Sequence, residues 1–355
     1  MLWRGFSTAG FALAAAFSLA AASPACAQTG GKVPVPTNRI YFGLMASGGA
    51  DPAGFEAAVG RHVDIYQASH ALTDQYHGDT LAGLRALGAH HDYIMFILHP
   101  LHPSLHEIDD DAWSGGEAPE GMATPDDYFR HWAEMAKQYG RPMFIRFDHE
   151  MNAPGQPHCV AEFFKCVDPA TGAPQTPEDY VKAWRHVHDI FRDAGATNVS
   201  WVWCPSSRDA PGDSDYESLA EIYPGDAYVD WTCLDGYNNI VVLNKWRSFG
   251  EIFDEPYRRI QAIAPDKPFM IAEFNSTEYP GDPSMRAEWF TDAFQHMKTM
   301  KNLRAVLLWQ VDRGDDMSVV PKKRIDWLIQ HNPRVLDVFQ KVLAAPPFSL
   351  PPQGQ

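Results

Sequence analysis

The sequence predicts a single closed (β/α)8 barrel, and three observations carry the prediction. Eight short runs of apolar, β-compatible residues recur along the chain, alternating with helical spacing or helix-start signals. The runs are apolar almost throughout, as strands buried on both faces of a parallel sheet must be. Two of them end in polar residues that include a glutamate, and an α/β barrel carries its chemistry at the C-terminal ends of its strands. A doubly wound open sheet is the alternative. It usually bears a glycine-rich phosphate turn after the first strand, and Ser47-Gly48-Gly49-Ala50 imitates one only weakly.

The elements follow in order. Ile40 to Ala46 is the first strand, with a short helix around Phe55 to Val59. Val63 to Ser69 is the second strand, and Thr80 to Leu87 its helix. Tyr93 to His99 is the third. Thr124-Pro125-Asp126-Asp127 then opens a helix with an N-cap threonine, a proline in the first turn and acids facing the positive end, and Gly140 stops it. The fourth strand lies in Pro142 to Asn152, PMFIRFDHEMN, apolar at its start and polar at its end. Thr176-Pro177-Glu178-Asp179 repeats the start signal, with Val181, Trp184, Val187 and Phe191 at helical spacing. Val199 to Cys204 and Val229 to Leu234 are the fifth and sixth strands, followed by a helix around Phe249 to Ala264. Phe269 to Phe274 is the seventh strand, Met285 to Met300 a helix, and Leu303 to Val311 the eighth strand. Ile325 to Leu343 supplies the closing helix or helices.

The ends are read separately. Arg4, the apolar Phe11 to Ala22 and the small-residue site Ala25-Cys26-Ala27 form a signal peptide over 1–27, which predicts a secreted or periplasmic protein. The barrel is expected over 28–345, and the proline-rich 346–355 as a disordered tail. No other stretch is apolar for long enough to span a membrane.

The net charge of −16 excludes a protein that grips a phosphate backbone, which needs clustered Lys and Arg. Eleven tryptophans serve core packing, with some available for stacking on sugar rings. Four cysteines remain after the leader. Cys159 and Cys166 share one loop and are a possible disulfide, while Cys204 and Cys233 lie near the ends of successive strands, as a second bridge or as buried thiols. His99, His102 and His106 follow no metal-ligand spacing, so no metal is assigned and no cofactor is expected.

If all strands end at one rim, that rim gathers His99, Asp148, His149, Glu150, Asn152, Trp203, Asp235, Tyr237, Glu273 and Trp309. Carboxylates, hydrogen-bond donors and aromatic faces together suit a sugar. Glu150 and Glu273 form the pair that glycoside hydrolysis uses. Arg146 has the parity of Glu150 and is read as an internal ion-pair partner, with Asp235 as structural support. A serine hydrolase is excluded by the lack of a G-x-S-x-G elbow around Ser206-Ser207.

Arg146-Phe147-Asp148-His149-Glu150-Met151-Asn152 resembles the acid/base segment of glycoside hydrolase family 26, the β-mannanase-type members of a retaining (β/α)8 clan. Ala183 to Val187 leading to Asn198 to Trp203, Leu234 to Asn238, and Lys267 to Phe274 resemble further segments of that family in the same order. The resemblance implies Glu150 as general acid/base, Glu273 as nucleophile, and His99 and His149 as ligands of the sugar at the cleavage subsite. It also implies Tyr237 as the residue orienting Glu273, and Trp309 as the platform under the sugar ring. Asn152 and Trp203 join the expected substrate contacts from the rim. Retention would place the two carboxyl groups about 5–5.5 Å apart. Three departures from the family pattern fall around the catalytic pair. Ala153 to Cys159 lacks the usual tryptophans, Cys204-Pro205-Ser206 replaces Ser/Ala-Pro-Asn, and Asn275 replaces the usual glycine. The expected substrate is a polysaccharide, β-1,4-mannan first, then a mixed-linkage glucan, a xylan or an exopolysaccharide. The alternative of another class is a non-catalytic polysaccharide-binding barrel.

Overall fold

The computed structural model describes residues 30–47, 51–69, 80–99, 105, 122–153, 167, 172–207, 218–311, 315–316 and 323–350. Eight parallel strands close into a barrel in sequence order: β1 (Tyr41–Ser47), β2 (Ile65–Ser69), β3 (Tyr93–Leu98), β4 (Met143–Phe147), β5 (Val199–Trp203), β6 (Trp231–Asn238), β7 (Phe269–Ser276) and β8 (Leu303–Val311). β1 pairs with both β2 and β8, so no edge is left open. Between the strands run α1 (Pro52–Val59), α2 (Thr80–His90), α3 (Pro125–Tyr139), α4 (Pro177–Ala194), the single turn α5 (Ile240–Leu243), α6 (Phe249–Ile263) and α7 (Ser284–Met297), and α8 (Pro333–Leu343) follows β8. A small pair, β9 (Asp315–Asp316) with β10 (Lys323–Arg324), lies between β8 and α8. Among the described residues, no helix is long and apolar enough to cross a membrane.

The start signals read from the sequence act as expected. Thr124 and Thr176 each accept a hydrogen bond from the backbone N–H three residues on, and Asp127 and Asp179 reach back to close a capping box. Such caps contribute about 0.5–2 kcal/mol each. Gly140 and Gly195 end these helices at φ 71° and 78°, a conformation that costs glycine nothing.

Strand alternation sorts the core into two layers. Tyr41, Ile65, Met95, Phe144, Val202, Trp231, Met270 and Ala305 fill the barrel interior. Phe42, Ile94, Ile145, Trp201, Trp203, Leu234, Ile271 and Val306 belong to the larger cluster packed under the helices. β6 and β7 run further than expected, to Asn238 and Ser276, so the polar ends of both strands are ladder residues rather than loop.

The tail differs from expectation as far as Leu350. Phe348 is fully buried 5.3 Å from the ring of Phe294, and the Pro347 carbonyl accepts the Ile40 N–H at 2.8 Å. Prolines lack an N–H, so this segment docks through one aromatic anchor without leaving many donors unpaired. Residues 351–355 and the predicted signal peptide lie outside the described residues, as do Cys159 and Cys166.

Candidate active site

The site is built at the C-terminal ends of β2, β3, β4, β6, β7 and β8. Arg146, one position before the end of β4, points into the barrel and is completely buried. Its Nη1 donates to both oxygens of Asp235, at 2.9 and 3.1 Å, and its Nη2 donates to Glu273 Oε1. One guanidinium thus holds two carboxylates, a pairing that only a delocalised, permanently charged fork can make. Arg146 thus forms internal ion pairs with Asp235 and Glu273. The two carboxylates it pairs with are on β6 and β7.

Glu273 is held from three sides. Besides Arg146, the Tyr237 hydroxyl donates to Oε2, and Gln67 Nε2 donates to Oε1 at 3.0 Å. Burial and the Glu273 carboxylate push the Tyr237 hydroxyl well above its ordinary range, so it stays protonated and donates. Gln67, on β2 and 1% exposed, was not foreseen. Its signal is present: it shares the inward parity of Ile65 in a strand that is otherwise mostly apolar.

Glu273 reaches the interior through a break in the strand. Leu234 pairs with Ile271, but Asp235 pairs with Glu273; on the other side Ile271 pairs with Val306, but Phe274 with Leu308. β7 therefore carries one more residue than either neighbour between Ile271 and Phe274. Met270 and Ala272 face the interior, so strict alternation would turn Glu273 towards the helices and Phe274 inward. The extra residue reverses this: Phe274 packs under the helices and Glu273 enters the mouth.

Beyond β4 the backbone folds over its neighbours. Asp148 N donates to Leu98 O and Glu150 N donates to Cys204 O, both at 2.8 Å, which ties the turn to β3 and to the end of β5. Asp148 and Glu150 have φ of 40° and 57°, left-handed values that side chains other than glycine's adopt only under constraint, and such strain concentrates at functional sites. Glu150 is half-buried, and its charge acts on Arg146, Asp235 and Tyr237, so it faces the same cluster. His99 Nδ1 lies 3.5 Å from Asp148 Oδ1, and the His99 and His149 rings are 5.2 Å apart. Burial, helped by the nearby Arg146 and His99, drives His149 well below its ordinary range and keeps it neutral.

An aromatic wall stands opposite. Trp309, half-buried on β8, sits edge-on to Tyr237 at 6.1 Å. Trp327, from the segment after β10, lies 5.5 Å from Tyr237 and was missed by the sequence reading. Asn275 positions both: its Nδ2 donates to the carbonyls of Trp309 and Trp327, and Arg286 Nη2 donates to Asn275 Oδ1 and to the Trp327 carbonyl. The asparagine that stands in place of a glycine is thus a strut for the wall.

Two expected substrate contacts are corrected. Trp203 is fully buried in the cluster under the helices, its indole N–H on the Ile222 carbonyl at 3.1 Å, because alternation on β5 turns Val202 and Cys204 inward and Trp203 outward. Asn152 is 1% exposed and spends both ends of its amide on Ser206, donating to its carbonyl at 2.9 Å and accepting from its N–H at 2.7 Å. It clamps the turn after β4 to the end of β5. We expect Asn152→Ala to lower stability by about 2–3 kcal/mol through the two unpaired backbone groups, leaving KM nearly unchanged. Thermal unfolding with parallel kinetics checks this, and a large rise in KM at unchanged stability would restore Asn152 as a sugar ligand.

Cys204 and Cys233 are bridged across β5 and β6, with Cα atoms 4.5 Å apart. The bridge lies in the barrel interior beneath Asp235.

A family model described as glycosyl hydrolase family 26 matches residues 128–299. Endoglucanase H of Acetivibrio thermocellus is 31% identical over 223 residues, 62% of this chain but 22% of that protein. The chain therefore spans less than a quarter of the length of this curated relative. A GH26 β-mannanase from Bacteroides ovatus superposes with a TM-score of 0.58 at 16% identity, over 88% of this chain and 90% of the other. A modular endo-β-1,4-mannanase from Cellulomonas fimi superposes with a TM-score of 0.60 at 18% identity, over 88% and 72%. At these identities the structural likeness is one of fold.

Proposed function

We infer that this chain, which belongs to glycosyl hydrolase family 26, is a retaining endo-acting glycoside hydrolase whose nucleophile is Glu273 and whose general acid/base is Glu150. The observation that carries the reading is the grip on Glu273. Arg146, Tyr237 and Gln67 all donate to this one carboxylate, at the barrel end where Glu150 also faces. Three donors fix its direction, as a nucleophile needs. A barrel that only bound sugar would gain nothing from burying two carboxylates on one guanidinium beneath a third.

In the first step Glu273 attacks the anomeric carbon while Glu150 passes its proton to the departing glycosidic oxygen. In the second, Glu150 takes a proton from water, which releases the sugar from Glu273 with its configuration retained. Tyr237 and Arg146 orient the nucleophile. His149 and His99 are placed for hydroxyls of the sugar at the bond being cut. Trp309 offers a face to its ring.

The substrate is a β-linked polysaccharide, with β-1,4-mannan first. β-Glucan is the second reading, favoured by the 31% identity to a protein named an endoglucanase. Export is part of the proposal and rests on the leader-like segment up to Ala27. Reducing-end release from mannan, lichenan, xylan and bacterial exopolysaccharides decides the substrate. Cleavage of one polymer, with the β-anomer seen first by NMR, supports the reading. A chain that retains a polymer in an affinity gel and cuts none is a binding protein, and the assigned roles fall.

A further inference from the structure

At the opposite end of the strands, the N-terminal end of the barrel, a second polar cluster has no part in this chemistry. Glu56 lies on α1, His62 in the connection from α1 to β2, and His91 in the connection from α2 to β3. Glu56 Oε1 accepts the Val63 N–H at 2.7 Å. It lies 3.0 Å from His62 Nδ1 and 3.9 Å from His91 Nδ1. One ligand atom from each residue falls within 4.8 Å of the others. His91 is 7% exposed, and its Nδ1 is buried with no hydrogen-bond partner. Buried imidazole nitrogens are nearly always satisfied, so one facing a carboxylate beyond hydrogen-bond distance points to a missing ligand.

We propose that Glu56, His62 and His91 bind a divalent transition-metal ion of the zinc class, clipping together α1 and the turns that feed β2 and β3. Three ligands around a tetrahedral ion, at about 2.0–2.2 Å each, stand roughly 3.3–3.5 Å apart, between the two spacings observed from Glu56. Two imidazoles and one carboxylate favour zinc, cobalt, nickel or copper over magnesium or calcium, which take all-oxygen shells. The His91 ring is already held, lying parallel to Tyr66 at 4.9 Å. The His62 side chain is 37% exposed, so it is the ligand that can turn onto an arriving ion, with water completing the shell. The spacings 56, 62 and 91 match no local metal motif, so only the packing of α1 against the ends of β2 and β3 brings the three together.

The test uses the tag-free full chain after chelation. We expect one equivalent of cobalt(II) to give the intense visible absorption of a tetrahedral centre. Zinc should compete for it and raise Tm by about 2–5 °C. His62→Ala, at a partly exposed position, should fold as wild type and lose the cobalt spectrum and the zinc shift, with affinity down at least tenfold. Glu56→Gln should weaken binding in the same direction. His149, Asp235 and Glu273 also place ligand atoms within 4.8 Å of one another. Glu273→Gln is therefore the control and should bind as wild type. The proposal is overturned if His62→Ala binds as wild type, if Glu273→Gln abolishes binding, or if wild type binds no zinc below millimolar concentration.

Discussion

Glu273→Gln is expected to reduce kcat by about five orders of magnitude, roughly 7 kcal/mol in barrier height, while the protein stays folded. The amide keeps the size of the carboxylate and can still accept from Arg146, so positioning survives and nucleophilicity does not. Stability should be equal or higher. Wild type buries Asp235 and Glu273 on a single guanidinium with Glu150 nearby, and neutralising one carboxylate relieves that crowding. Glu273→Ala adds a sharper readout. With an activated aryl glycoside, azide entering the vacated space should restore turnover and give the inverted glycosyl azide. The same reagent with Glu150→Ala should give the retained one, because there azide intercepts the enzyme-bound sugar. Wild-type-like activity of Glu273→Gln, or one product configuration from both variants, would remove the assigned roles.

Arg146→Met is the change with the largest expected effect on stability. The side chain is completely buried and neutralises two carboxylates, so its loss leaves uncompensated charge in the barrel interior. Breaking a buried pair in this way costs about 3–5 kcal/mol, or roughly 10 °C in Tm. The cost belongs to the stranded charges, which makes it testable by removing them. Arg146→Met with Asp235→Asn should recover a large part of the loss, and urea unfolding of the two single variants and the double variant measures the coupling. Catalysis should fail as well. Without the guanidinium Glu273 loses a donor that fixes its direction, so kcat should fall by at least a hundredfold. Arg146→Lys should recover part of the stability but not the two-carboxylate geometry, because an ammonium cannot hold both as a fork. A kcat unchanged in Arg146→Met would mean that Glu273 does not depend on this partner.

How far each feature was legible depends on how local its cause is. The barrel followed from strand runs apolar on both faces, and the capping signals at Thr124 and Thr176 from side-chain chemistry within four residues. Glu150, Glu273, Tyr237 and Arg146 were legible because strand ends in a closed barrel share one rim. Trp203 failed for the same reason. A strand end says which rim a residue is near, not which face it takes, and β5 turns this tryptophan under the helices. Asn152 looked like a free amide because its partner, the Ser206 backbone, lies 54 positions away.

The amino-acid pattern by itself determined the strand count, the closure of the sheet and the pair of glutamates, since hydrophobic period and capping act over a few residues. The tertiary structure alone decided which carboxylate is gripped and by what. One extra residue in β7 turns Glu273 inward, Gln67 arrives from a strand 206 positions away, and Asn275 and Arg286 prop Trp327 beside Tyr237. These features depend on register and on partners far apart in the chain. Pairing between strands settles the register, and barrel closure brings the partners together.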